Sequence, residues 1–180
     1  MFETQKIKWF RRLIPLTAII LVSGCSVAEI SVTQKGLPKV YKDYNDTYVI
    51  KRDIQISLFQ LYNYTDTPDA GKRAANILQG VLEAKGYKVV PHYKKRIVSF
   101  KRAKKIAKKD GSRYFMLGGV SEWRYKNGID SEPVVSLRLS LYKTKKGKLV
   151  WSATGSDGNW GNDSLGYTAQ CLMNEMMQKE

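Results

Sequence analysis

Between residues 53 and 58, Ile54, Ile56 and Leu58 alternate with Asp53, Gln55 and Ser57. Period-two alternation predicts a strand with one buried and one polar face. "NYTDTPDAG" follows as a turn into a helix. Thr67 or Asp66 is placed to cap it, Pro68 suits the first helical position, and Asp69 suits the positive end of the dipole. Ala70, Ala74, Ile77, Leu78, Val81 and Leu82 then fall at helical spacing, and Gly86 marks the stop. "YKVVP" predicts a short strand. "IVSFKRAKKIAKKDG" predicts a helix with Val98, Ala103, Ile106 and Ala107 inward and its lysines outward. "RYFMLGGVSEWRY" predicts a long strand, with Gly118 and Gly119 positioned for a bulge or bend.

The next segment, "VVSLRLSLYKTKKGKLVWSATGS", predicts a hairpin. Leu137, Leu139 and Leu141 alternate with Ser136, Arg138 and Ser140, and Lys145, Lys146 and Gly147 supply the turn. A last helix starts near Asp163 and Ser164, with Leu165, Ala169, Leu172 and Met176 on one side. The order is β-α-β-α-β-β-β-α. It implies an α/β fold in which one mixed β-sheet is packed by about three helices.

Upstream of this pattern the character changes. Lys6, Lys8, Arg11 and Arg12 precede the apolar run "LIPLTAIILVSG", which is too short to span a bilayer and has the layout of a signal peptide. The run ends in "LVSGC", which resembles a bacterial lipobox with Cys25 as the acylated residue. Ser26 follows in place of an aspartate, and the sorting rule for such lipoproteins then implies the periplasmic face of the outer membrane. The expected organisation is a signal peptide over 1–24, a lipid-anchored tether over 25–48 and one α/β domain over 49–180. With Cys25 acylated, Cys171 is the one free thiol.

Charge sharpens the picture. Without residues 1–24 the chain carries +12, and residues 85–110 alone hold eleven Lys or Arg against one Asp. In the periplasm such a segment points to anionic phospholipid head groups or an acidic partner, not to nucleic acid. A solvated helix face is the plainer reading of the same lysines.

Candidate chemistry is sparse. His92 is the single histidine, and no cluster has zinc-ligand spacing. No GxSxG elbow, GxGxxG or phosphate loop is present. The reading is therefore not an enzyme, and no cofactor is expected. Asp130 and Glu132 in "GIDSEP" form an acidic loop that suits a cationic ligand. Trp160 in "SDGNWGNDS" sits on a polar loop, and an indole there is suited to a membrane interface.

"NYTDTPDAG", "SEWRYKNGIDSEPVVSLRLSLY", "LVWSATGSDGNWGNDSL" and the closing helix resemble the PelC family, the outer-membrane lipoproteins of Pel exopolysaccharide export. The resemblance implies a fold related to curli-secretion and synthase-activator lipoproteins. It implies a homo-oligomeric ring of about a dozen subunits at the periplasmic mouth of an outer-membrane β-barrel porin with a PelB-like periplasmic scaffold. An acidic lumen would guide the secreted polysaccharide. Trp160 matches the residue that dips into outer-membrane phospholipid, and Asp130, with Glu132 beside it, matches the loop that faces the lumen. A strongly basic chain fits such a funnel only if residues 85–110 lie away from the lumen. The alternative is a monomeric lipoprotein activator of a peptidoglycan synthase, which usually needs a longer tether than this one.

Overall fold

The computed structural model describes residues 39–44, 53–93, 99–127, 131–158 and 163–178. They form seven strands and three helices: β1 Lys39–Tyr44, β2 Gln55–Phe59, β3 Tyr62–Asn63, α1 Ala70–Ala84, β4 Lys88–His92, α2 Phe100–Lys109, β5 Tyr114–Tyr125, β6 Pro133–Lys143, β7 Leu149–Gly158 and α3 Leu165–Met176. The strands make one mixed sheet in the order β1-β7-β6-β5-β2-β4, with β3 added alongside β5. β1, β7, β6 and β5 are antiparallel neighbours, while β5, β2 and β4 are parallel. Right-handed crossovers decide where the helices lie. From β2 through α1 to β4 the chain moves outward. From β4 through α2 to β5 it moves back across β2. The two helices therefore cover opposite faces.

The core sits between the sheet and the pair α1 and α3. Ile56, Leu58, Met116, Leu137, Leu139 and Leu141 pack there against Ala74, Leu78 and Leu82 of α1 and Ala169, Leu172 and Met176 of α3. Trp123 and Trp151 are buried in the same layer. A second, smaller cluster of Phe59, Phe115, Ala103 and Ala107 seats α2 on the other face. The helical stripes expected from sequence are the stripes observed, except that Val98 lies outside the described residues and Ile77, Ile106 and Leu165 are partly exposed.

Several local expectations are corrected. Residues 39–44, expected within the tether, pair with β7 from Lys39↔Ser156 to Tyr44↔Trp151. An edge strand needs only backbone hydrogen bonds to an open neighbour and tolerates charges, so "KVYKDY" carries little hydrophobic signal. Ser57, expected on the polar face of β2, is fully buried because α2 covers that face. α1 begins without a side-chain cap. Asp69 stands at its start in the left-handed region (φ 58°), and the Thr67 hydroxyl instead donates to the Trp123 carbonyl at 2.6 Å. The bulge in β5 falls between Val120 and Glu122, beyond the glycine pair. Gly118 and Gly119 serve close approach: a Cβ on Gly118 would overlap the Arg138 carbonyl oxygen, and one on Gly119 would lie 2.7 Å from the Tyr64 ring.

Candidate functional site

The long strands β5, β6 and β7 give the sheet two ends. β6 has 11 residues, which at the antiparallel rise is roughly 35 Å. At one end Tyr125 pairs with Pro133 and Val134 with Gly158. β1 starts at this end too, since Lys39 faces Ser156. The chain therefore enters the sheet, turns from β5 to β6, and leaves β7 toward α3 all at one end. The sequence segments carrying Asp130 and Trp160 are anchored there by their described flanks.

Cys25, Asp130 and Trp160 themselves lie outside the described residues. Glu132 is described, and its setting differs from that of a solvated loop acid. Its residue is 7% exposed, and its carboxylate accepts from Lys126 Nζ at 2.6 Å. The Lys126 N–H also donates to the Glu132 carbonyl at 2.7 Å. Both contacts clamp the base of the β5–β6 turn, and Lys126 extends over Gly158. The charge of Glu132 is thus matched inside the chain, so the acid expected from sequence to meet a ligand serves here to hold the turn.

Tyr125 and Tyr167 stand at this same end and are about half exposed. The Tyr125 hydroxyl accepts from the Leu165 N–H at 3.4 Å, tying the strand end to the start of α3. Ser164 caps that helix through the Tyr167 N–H at 3.1 Å. Sequence reasoning singled out Trp160 and passed over these tyrosines. Their grouping depends on the pairing of β5 with β6 and β7, which no local pattern reports.

The opposite end is basic. Six of the ten residues of α2 are Lys or Arg, which is enough to coat its whole outer face. Ser99 caps this helix by accepting from the Arg102 N–H at 3.3 Å, and Lys108 and Lys109 sit at the negative end of its dipole. The β6–β7 turn, with Lys145 and Lys146, folds against it. The Lys104 ammonium lies within 3.1 Å of where a Cβ on Gly147 would sit. Gly147 itself adopts φ 72°, which glycine supplies without strain.

His92 belongs to a third set of groups. Its Nε2 lies 2.8 Å from Asp110 Oδ2, and its ring stacks on Phe59 at 4.9 Å. Ser57 donates to the same Asp110 oxygen at 2.5 Å, its oxygen lies 2.8 Å from the Ser112 hydroxyl, and Gln55 Nε2 donates to the Asp110 carbonyl at 2.7 Å. The carboxylate stands between histidine and serine, so the imidazole cannot take the serine proton. Ser57 is also fully buried. The set fastens the C-terminal end of α2 to β2 and β4. Among the described residues no three His, Cys, Asp or Glu side chains gather as a metal site, and no helix is long and apolar enough to cross a membrane.

Among solved structures, the chain is similar to the PelC dodecamer from Paraburkholderia phytofirmans, with 31% identity, a TM-score of 0.67, and coverage of 78% of this chain and 95% of that one. The chain belongs to the PelC family. A substituted variant of the same PelC, also a dodecamer, matches at 32% identity and TM-score 0.67 over 77% of this chain and 95% of that one. No protein-family model matches the chain, and no curated protein matches it. The PelC likeness bears out the mixed-sheet α/β fold expected from sequence and supports a part in Pel-type exopolysaccharide export.

Proposed function

We propose that this chain is a lipid-anchored subunit of a periplasmic ring that guides an exopolysaccharide to an outer-membrane porin. The observation that carries the reading is the 31% identity to a PelC dodecamer over 95% of its chain. The sheet geometry supports it. The start of β1 and the flanks of the Trp160 and Asp130 segments share one end of the sheet. An anchor at Cys25, an indole in the interface and an acid beside the membrane mouth are then compatible in one subunit. Tyr125 and Tyr167 add interfacial aromatics at that end. A single indole holds weakly, but a ring repeats it and gains by multivalency.

In this reading Asp130 faces the polymer and Glu132 fixes the turn that presents it. The role is structural and involves no catalysis. The mass of the lipidated protein, extracted from outer membranes in mild detergent, tests the assembly: a closed ring is expected, and a stable monomer would overturn it. Export then tests guidance. Asp130→Lys is expected to impair polymer secretion more than Lys104→Glu with Lys105→Glu. The reverse ranking would remove Asp130 from the polymer path.

A further inference from the structure

The cationic face is two elements brought together by the fold. α2 supplies Lys101, Arg102, Lys104, Lys105, Lys108 and Lys109, and the β6–β7 turn adds Lys145 and Lys146. Among the described residues none of these eight makes an ion pair, and the acid nearest in sequence, Asp110, is taken up by His92 and Ser57. Leaving so many like charges together costs stability through mutual repulsion, which a bound polyanion would relieve.

A groove of about 480 Å³ opens beside the charges. Tyr62, Tyr64, Phe100 and Tyr142 line it, with Arg138 and Ser140 on its strand side. Tyr62, Tyr64 and Phe100 are 38%, 72% and 41% exposed, an unusual amount of aromatic surface to leave on one face. Gly119 lets one of these rings seat closely, since a Cβ there would lie 2.7 Å from Tyr64. Arg138 is exposed within it and makes no ion pair among the described residues. A guanidinium in an aromatic groove is suited to a carboxylate.

Position narrows the occupant. The β6–β7 turn lies the length of β6, roughly 35 Å, from the end where β1 starts and β7 leaves. Resting on the membrane-end assignment of Cys25 and Trp160 above, this face points into the periplasm and away from lipid head groups. A second copy of the chain is a poor match, because each copy is itself strongly basic. We infer that α2, the β6–β7 turn and the adjoining aromatic groove form a docking surface for an acidic periplasmic protein segment, one that carries apolar side chains among its carboxylates. The apolar side chains enter between Tyr64 and Phe100. The carboxylates meet Arg138 and the lysine ridge, where Lys101, Lys105 and Lys108 span about 10 Å of helix.

The test uses the lipidated protein in mild detergent and a short fluorescent peptide that mixes Glu with Leu and Phe. The comparison ligands are polyglutamate of equal charge, polygalacturonate and phosphatidylglycerol vesicles. Lys101→Glu with Lys105→Glu and Lys108→Glu should weaken the peptide by about tenfold or more. Tyr64→Ala should weaken it by about threefold or more while leaving polyglutamate unchanged. Circular dichroism, and a matching Lys→Gln set, separate lost binding from lost folding.

Peptide bound no more tightly than polyglutamate or polygalacturonate would reduce the surface to a general polyanion face and overturn the proposal. Equal peptide binding by wild type and the charge-reversed variant would do the same. Vesicle capture that depends on the three lysines would make the face a lipid contact. The membrane-end assignment has its own control in vesicle capture by Trp160→Ala. If capture is unchanged there while the peptide still depends on lysine and tyrosine, that assignment fails and the docking surface stands.

Discussion

Gly71 and Gly80 lie on the same helix, nine residues apart, and substitution by alanine should move stability in opposite directions. In a helix interior, Gly→Ala is worth about 0.5–1 kcal/mol in favour of alanine, because the unfolded chain loses fewer states. Gly80 has no atom within 4 Å of an added Cβ. The gain should appear there in full. At about 2–4 °C per kcal/mol for a chain of this size, Gly80→Ala should melt roughly 1–4 °C higher. At Gly71 the same Cβ would overlap the Leu61 carbonyl oxygen, lie 3.0 Å from the Leu61 carbonyl carbon and 3.4 Å from the Asn63 N–H nitrogen. These are backbone atoms, and Leu61 is held there by its own N–H to the Gly71 carbonyl at 3.3 Å. Neither side can swing away, so the helix must lift from the β2–β3 connection. Overpacking of this kind costs about 1–3 kcal/mol and occasionally more. Taking the upper figure because backbone cannot yield, and subtracting the propensity gain, leaves a net loss of about 2 kcal/mol, or roughly 4–8 °C. Thermal melts by far-UV circular dichroism in one detergent would rank the three proteins. A Gly71→Ala protein as stable as wild type would refute the close approach of α1 to Leu61.

Asp110→Ala should destabilise by about 2 kcal/mol, since it leaves Ser57 and His92 without their shared acceptor, and hydrogen exchange should rise first at the C-terminal turn of α2. Burial, with Glu83 adding to it, pushes the Tyr93 phenol above its usual range. The unfolded chain then ionises first, so stability should fall as pH rises past about 10. Tyr93→Phe should lose this pH dependence, although it also removes the one proton that the phenol shares between the Ala75 carbonyl and Gln79 Oε1, costing about 1 kcal/mol at neutral pH. Glu132→Gln should leave the sheet intact but loosen the β5–β6 turn, seen as faster limited proteolysis between Lys126 and Glu132. Unchanged cleavage would mean the ion pair does not hold that turn.

Apart from the two-residue β3, the order of elements from β2 onward was legible in the sequence, because each of the others carries a periodic stripe long enough to read. The stripe of α1 from Ala70 to Leu82, the leucines of β6, and Ala169, Leu172 and Met176 of α3 are local patterns, and burial follows them. The helix stop at Gly86 and the tight turn at Gly147 were also local, since positive φ favours glycine (87° and 72° here). Tertiary structure decided the rest. Ser57 reads as solvent-facing until α2 is laid over it, and Thr67 reads as a cap until Trp123 offers its carbonyl. Residues 39–44 read as tether until β7 presents an open edge. Glu132 reads as a ligand acid until Lys126, six residues away along the chain, closes on it. The same holds for function. The sequence named Asp130, Trp160 and the basic segment without saying how far apart they stand. Pairing of β5, β6 and β7 puts the flanks of the first two at one end and the lysines at the other, because strand register fixes position over distances that no local pattern of side chains encodes.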